Sequence, residues 1–307
     1  MDLNAILNEI NHEIRPLLGQ GKVADYIPAL ATVDPGQFGM VVTTNDGQIY
    51  AVGDAEQKFS IQSISKVFSF TLALKADPDA LCRRVWREPS GNPFNSLIQL
   101  EYEAGIPRNP FINAGAIVVT DSLISHFGGQ DQALSALITF IKETADTPDI
   151  EMDHKVAISE MHHGYKNISS ANLMKSFGNI HNEVDTVVRT YFHHCSVTMT
   201  ARELARSLLY LSHHGTDPLT GTQHITPAQT KQINSLMLTC GHYNASGDFA
   251  YRVGLPGKSG VGGGIIAVVP GKMTLAVFSP ALNEYGNSFI GTQALDLFTT
   301  KTGFSIF

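Results

Sequence analysis

Charged side chains and cysteines are both scarce in this sequence of 307 residues. Only 16% of the residues are charged, and 21 basic against 28 acidic side chains give a formal net charge of −7 at pH 7. We find no cluster of lysines and arginines able to bind a phosphate backbone, so nucleic acid is not an expected partner. The cysteines, Cys82, Cys195 and Cys240, are odd in number and widely spaced, without a C-x-x-C motif. Such usage predicts a reducing compartment rather than a disulfide framework.

Long hydrophobic runs are absent as well. The most apolar stretches, near residues 67–74 and 263–269, are far shorter than the roughly 20 residues that cross a bilayer. Acidic residues interrupt the apolar pattern of the N-terminus at Asp2, Glu9 and Glu13, which is not typical of a signal peptide. We therefore expect a soluble cytoplasmic protein without a membrane partner. Its length of 307 residues is sufficient for a large core.

Strand-type sequence occurs near both ends of the chain. The β-rich runs 38–44 and 48–52 flank an Asn45-Asp46-Gly47 turn, a strong hairpin signal because Asn and Gly accept positive φ. Toward the C-terminus, the runs 263–269 and 274–278 flank a Pro-Gly turn. Strands from both ends must pair with one another to become buried.

Helical periodicity fills the rest of the chain. An amphipathic helix with Ile6, Ile10 and Ile14 opens the sequence, and another helix covers about residues 290–300. We expect an α/β fold of the α+β kind, with an antiparallel sheet built from both chain ends, flanking terminal helices and an inserted, mostly helical lobe. A single domain over 1–307 would then have a sheet lobe (1–60 plus 246–307) and a helical lobe (61–245). The active site is expected in the seam between the lobes.

One S-x-x-K sequence, from Ser63 to Lys66, begins an apolar helical run. If Ser60 caps that helix, Ser63 lies in its first turn, where free N–H groups favour developing negative charge. Lys66 shares a face with Ser63, and burial among apolar side chains depresses the pKa of a lysine enough for it to accept a serine proton. Chance alone yields about one such motif in a chain of this length, so the pattern needs support from elsewhere in the sequence.

That support comes from Lys258-Ser259-Gly260, directly before the first strand of the C-terminal pair. In serine acyltransferases of the penicillin-recognising type, a K-[ST]-G strand lies beside the S-x-x-K helix, and its backbone supplies an oxyanion-hole N–H. Nucleotide binding is a weaker interpretation, because Arg252 and Ile265 stand where a phosphate loop and a dinucleotide fingerprint require glycine.

Several segments together resemble the serine-dependent glutaminases, which share the β-lactamase-like fold. They are GKVADYIP at 21–28, FSIQSISK at 59–66, PSGNPFN at 89–95, PRNPFINAG at 107–115, YFHHCS at 191–196 and GKSGVGGG at 257–264. The resemblance implies hydrolysis of L-glutamine to glutamate and ammonia, with Ser63 as the nucleophile and Lys66 as its base. Lys258 is expected to help set the pKa of Lys66. The resemblance also implies substrate-contacting positions at Tyr26, Ser63, Asn113, Glu160, Asn167, Tyr191, Tyr243 and Val261.

The chemistry of glutamine agrees with these residue types. Glu160 is the natural partner of the α-ammonium, and Asn113, Asn167 and Tyr26 offer neutral donors to the α-carboxylate. Tyr191 and Tyr243 are expected beside Ser63 and Lys66, where a phenol can relay a proton to the departing ammonia, although the sequence does not say which of them does so.

Two other functions remain open on the sequence alone. One is hydrolysis of β-lactams or D-alanyl peptides by the same fold, and the other is a non-catalytic sensor that keeps the pocket. Three adjacent histidine pairs lack the spacing of a metal site, so we expect neither a metal nor another cofactor. A homodimer or homotetramer is the expected assembly.

Overall fold

The computed structural model of this chain describes residues 1–90 and 97–307. Most of the 89–95 segment noted above therefore lies outside the described residues. The strands are β1 (Lys22–Val23), β2 (Gly39–Thr44), β3 (Ile49–Gly53), β4 (Phe59–Ser60), β5 (Glu151–Met152), β6 (Val197–Met199), β7 (Gly257–Ser259), β8 (Gly264–Val269), β9 (Met273–Phe278) and β10 (Ala281–Leu282).

Most of the helices lie between β4 and β7 in the chain. They are α1 (Leu3–Ile14), α2 (Ser65–Ala76), α3 (Pro78–Arg84), α4 (Leu97–Tyr102), α5 (Asn113–Phe127), α6 (Gln130–Ala145), α7 (His154–His163), α8 (Tyr165–Ser176), α9 (Val184–Cys195), α10 (Ala201–Ser207), α11 (Leu209–Ser212), α12 (Pro227–Cys240), α13 (Ser246–Arg252) and α14 (Phe289–Thr302). None of the helices in the described ranges is long and apolar enough to cross a membrane.

The main sheet joins the two ends of the chain. Its five strands lie in the order β3-β2-β9-β8-β7, and every neighbouring pair is antiparallel. The β2–β3 turn contains Gly47 at φ +86°, a conformation that an L side chain rarely adopts. The predicted antiparallel sheet from both chain ends is therefore confirmed.

Both faces of this sheet are covered, which explains why β8 and β9 are apolar along their whole length. Ile265, Ala267, Leu275 and Val277 pack with the terminal helices α1 and α14. The alternate residues of the same strands, such as Ile266 and Ala276, belong to the core of the helical part. Each fully buried aliphatic side chain of this kind contributes about 1.5–3 kcal/mol to folding.

Helix α2 is the centre of the helical part, and nine of its twelve residues are buried. It packs against α5, α6, α9 and α12, so it has apolar neighbours on every side. A small sheet in the order β4-β6-β5 lies just before its N-terminus. The division into two lobes at residues 60 and 246 stays a prediction.

Candidate active site

A cavity of about 590 Å³ lies where the glycine-rich end of β7 meets the N-terminus of α2. Its wall brings together all eight positions that the sequence analysis assigned to the substrate. The lining residues are Tyr26, Gln62, Ser63, Asn113, Glu160, His163, Gly164, Tyr165, Lys166, Asn167, Tyr191, Cys195, Tyr243 and Val261.

Ser63 lies two residues before the start of α2, and not in its first turn as the sequence suggested. It belongs to a 3-10 turn, Gln62–Ile64, that leads directly into α2. The expectation that Ser60 caps this helix was wrong: Ser60 is part of β4, and its hydroxyl donates to the Cys195 carbonyl at 3.0 Å. Strand pairing of β4 with β6 occupies this segment before the helix begins. Ser63 still stands at the entrance to α2, with 7% of its surface exposed.

Lys66 is buried in the first turn of α2, with only 1% of its surface exposed. Its Nζ donates to Asn113 Oδ1 at 2.6 Å and to the Phe111 carbonyl at 3.3 Å. Burial lowers the pKa of this amine to about 8 because the ammonium loses its hydration, although the nearby Glu160 partly opposes that shift. In the described part of the chain, no hydrogen bond joins Lys66 to Ser63. A neutral amine is thus available close to neutral pH.

Tyr243 lies beside Ser63 in the cavity wall. Its hydroxyl is near the side chains of Ser63 and Ser259 and the N–H of Val261. Burial raises the pKa of this phenol, and these polar neighbours only partly offset the effect. Tyr243 therefore keeps its proton at neutral pH and can pass it on. Tyr191 takes the other predicted place, with its ring centroid 5.9 Å from Lys66 Nζ.

The end of β7 approaches the nucleophile's turn backbone to backbone. A Cβ atom on Gly260 would lie 2.5 Å from the Ile61 carbonyl oxygen, and one on Gly262 would lie 2.0 Å from the Ser60 carbonyl oxygen. Any side chain at either glycine would push the strand away from the turn. This contact brings Val261 and Ser63 into the wall of one cavity.

Lys258 is fully buried behind the cavity wall. Its Nζ donates to the carbonyls of Ser259 at 2.6 Å and Gly241 at 3.0 Å, and it lies 4.6 Å from the ring centroid of Tyr243. Burial, followed by repulsion from Lys66, holds its pKa well below the ordinary lysine value. Because both amines are buried in one site, protonation of Lys66 disfavours protonation of Lys258.

Glu160 is a buried carboxylate, with 4% of its surface exposed, rather than a solvated surface residue. The half-exposed Tyr26 donates its hydroxyl proton to Glu160 Oε1 at 2.6 Å. Burial raises the pKa of Glu160, while the bonds from Tyr26 and Gln62 and the charge on Lys66 lower it. A buried carboxylate of this kind is strongly stabilised when a cation binds beside it.

Asn113 and Asn167 continue the hydrogen-bond chain from Lys66. Asn113 accepts from Lys66 through Oδ1 and donates through Nδ2 to Asn167 Oδ1 at 3.0 Å. The helix carrying Glu160 and the helix carrying Asn167 are separate, because α7 ends before Gly164. A Cβ atom on that glycine would lie 2.2 Å from Phe192 Cζ. The two predicted ligands nonetheless line the same cavity.

Sequence reasoning did not select six of the lining residues. All six are close in sequence to residues that were selected, which is the signal that could have found them. One directly precedes Ser63, one follows Tyr191 by a helical turn, and four lie between Glu160 and Asn167. These residues are Gln62, Cys195, His163, Gly164, Tyr165 and Lys166. Within residues 1–90 and 97–307, no group of three His, Cys, Asp or Glu side chains is placed to hold a metal ion.

Comparison with known proteins identifies relatives over the full length. The family model described as Glutaminase matches residues 21–307. The chain is 57% identical to a glutaminase of Aliarcobacter butzleri, with 100% of both chains covered. It is 54% identical to a glutaminase of Rhizobium meliloti, covering 100% of this chain and 97% of the relative.

Solved structures give the same result. A probable glutaminase named ybaS superposes with a TM-score of 0.93 at 35% identity, covering 100% of this chain and 99% of the other. A probable glutaminase from Bacillus subtilis complexed with 6-diazo-5-oxo-L-norleucine superposes with a TM-score of 0.90 at 32% identity, covering 100% and 98%.

Proposed function

This chain belongs to the glutaminase family and hydrolyses L-glutamine to L-glutamate and ammonia, and we propose that it does so through an acyl-enzyme on Ser63 with Lys66 as the general base. The fold is the β-lactamase-like fold of solved glutaminases. The observation that carries the proposal is the buried Lys66 amine, with its pKa lowered to about 8, one helical turn from Ser63. We therefore propose neither hydrolysis of β-lactams or D-alanyl peptides nor a non-catalytic sensor.

The reaction proceeds in two halves. Neutral Lys66 takes the Ser63 proton as Oγ attacks the γ-carbonyl, and the N–H groups of Ser63 and Val261 stabilise the oxyanion. The carbon–nitrogen bond then breaks, and the leaving amine receives the proton held by Lys66, relayed through Tyr243, so ammonia departs, Lys66 is neutral again and a γ-glutamyl ester remains. Lys66 next takes a proton from an attacking water and passes it to Ser63 Oγ as the ester bond breaks, which releases glutamate. No cofactor takes part in this proposal.

Recognition of the amino-acid end of glutamine falls to the opposite wall of the cavity. Glu160 pairs with the α-ammonium, while Asn113, Asn167 and Tyr26 hold the α-carboxylate by neutral hydrogen bonds. Tyr191, against Lys66, orients the amine, and Lys258, the second buried amine of the site, would help set the pKa of Lys66 when it carries a charge. The contacts of Tyr26 with Glu160, of Asn113 with Asn167 and of Tyr191 with Lys66 support these roles.

The pH dependence of kcat/KM tests the role of Lys66. A protonated Lys66 accepts no proton, so kcat/KM for glutamine is expected to rise about tenfold per pH unit below the pKa and to level off above it. The midpoint should lie near the value of about 8 that burial gives this amine. Ammonia release between about pH 6 and about pH 9 measures the profile. A profile that is flat through this range contradicts the assignment.

The substitution Glu160→Gln tests the ammonium site. Loss of one partner from a buried charge pair costs about 2–5 kcal/mol, so kcat/KM for glutamine is expected to fall about 100-fold. Hydrolysis of a simple activated ester, which carries no ammonium, should change much less. The variant Glu151→Gln, at an exposed residue of β5, is the matched control. Equal losses on glutamine and on the ester would refute the role of Glu160.

Localisation and assembly stay predictions. The free side chains of Cys82, Cys195 and Cys240 support a reducing compartment such as the cytoplasm. The exposed side chains of Ile98, Tyr102 and Tyr251 support a homodimer or homotetramer.

A further inference from the structure

The residue directly before the nucleophile has an unusual backbone. Gln62 has φ +49°, in the left-handed region that favours glycine, and only 2% of its surface is exposed. A non-glycine residue in this region is strained and persists only where its surroundings hold it. Because Gln62 begins the 3-10 turn, its backbone sets the direction of the Ser63 N–H and side chain.

The Gln62 side chain has polar neighbours on both sides. Nε2 donates to Ser60 Oγ at 3.2 Å, and Oε1 lies 3.4 Å from the Tyr26 hydroxyl oxygen. The same Tyr26 hydroxyl lies 2.6 Å from Glu160 Oε1, so it bridges Gln62 and the carboxylate. The side chain of Gln62 therefore contacts the ammonium site, while its backbone belongs to the turn of the nucleophile.

The turn is also confined from the strand side. A Cβ atom on Gly262 would meet the Ser60 carbonyl oxygen at 2.0 Å and Gln62 Cγ at 3.5 Å. With β7 on one side and the Tyr26–Glu160 pair on the other, Gln62 has little room to relax. This confinement explains how a left-handed glutamine is maintained.

We propose that Gln62 is a positioning residue that couples occupancy of the ammonium site at Glu160 to the orientation of Ser63. This inference rests on the proposed function. A substrate that carries the α-ammonium fixes Glu160 and Tyr26, and these residues hold the Gln62 side chain and hence the turn. Part of the free energy of binding the ammonium thereby lowers the activation barrier of the bound substrate, which raises kcat. A substrate without the ammonium leaves the turn less well fixed and reacts more slowly when bound.

The test compares two substrates in two variants. Glutamine and glutaramate, the monoamide of glutaric acid, differ only in the α-ammonium. Gln62→Asn keeps a residue type that tolerates the left-handed backbone, but it is too short to maintain the contacts with Tyr26 and Glu160. Gln62→Ala loses both the side-chain bonds and that tolerance. Ammonia release is measured at saturation, with enzyme concentrations high enough for the slower substrate.

In Gln62→Asn, the ratio of kcat for glutamine to kcat for glutaramate is expected to fall about tenfold, as for the loss of a hydrogen bond to a charged group. The kcat for glutaramate should change less than about threefold, because the backbone is retained. Gln62→Ala should lower kcat for both substrates. A ratio unchanged in Gln62→Asn, or equal losses for both substrates, overturns the inference.

Failure of this inference is distinguishable from failure of the proposed function. If Ser63→Ala still releases ammonia, the serine mechanism itself is wrong. If Ser63→Ala is inactive and the substrate ratio of Gln62→Asn equals that of the wild type, only the coupling through Gln62 is wrong. Circular dichroism and thermal melting of Gln62→Asn establish that it folds, and the substrate ratio is unaffected by a simple loss of active protein.

Discussion

Ammonia release from glutamine is expected to fall by about 10⁴-fold or more when Ser63 is replaced by alanine, because no other group is then placed to form the acyl-enzyme. The side chain occupies the cavity wall and contributes no hydrophobic packing of consequence, so the melting temperature should stay close to that of the wild type. A discontinuous ammonia assay on purified protein measures the first quantity, and calorimetry measures the second.

Ser65→Ala is the matched control for this experiment. Ser65 lies two residues further along the same segment and is buried at 1% exposure, but it is not among the residues that line the cavity. Its removal should leave turnover within a few-fold of the wild type. Full activity in Ser63→Ala, or loss of activity in Ser65→Ala alone, would show that Ser63 is not the nucleophile.

Lys66→Met is expected to lower kcat by about 10²–10⁴-fold, the usual contribution of a general base. Methionine retains an unbranched apolar stem in the buried site but offers no amine. Lys66→Arg separates proton transfer from charge: it keeps a cation, yet a guanidinium does not release its proton at these pH values, so it should be as inactive as the methionine variant.

The control for Lys66 is Lys75→Met, at the exposed end of α2. It removes one amine from the same helix without touching the cavity, so kcat should be unchanged. Restoration of activity by Lys66→Arg would mean that a positive charge, and not a proton acceptor, is what the site requires.

The sheet could be predicted from the sequence because its signals are local. The Asn45-Asp46-Gly47 turn fixes the β2–β3 hairpin, and the two apolar strands β8 and β9 need partners on both faces. The S-x-x-K and K-S-G motifs located Ser63 and Lys258, but the remaining ligands came from family resemblance. Composition and periodicity do not distinguish a buried Glu160 from a solvated one.

What the sequence could not predict depends on contacts between distant segments. Ser60 has the side chain of a helix cap, yet pairing of β4 with β6 places it in a strand. The left-handed backbone of Gln62 carries no sequence signal, because glutamine rarely adopts it and only the surrounding residues enforce it. The link from Lys66 through Asn113 to Asn167 joins three elements that are far apart in the chain.

The close approach of Gly260 and Gly262 to the carbonyls of Ile61 and Ser60 restricts how glutamine reaches Ser63. Because the main chain at these glycines contacts the main chain before Ser63 directly, no solute can pass between them and neither segment can move toward the other. Entry therefore runs past the opposite border of the cavity, where Tyr26 and Tyr165 are exposed to solvent. Glu160 lies 2.6 Å from the Tyr26 hydroxyl, so on this route the charged end of an incoming amino acid is expected to meet the Tyr26–Glu160 pair.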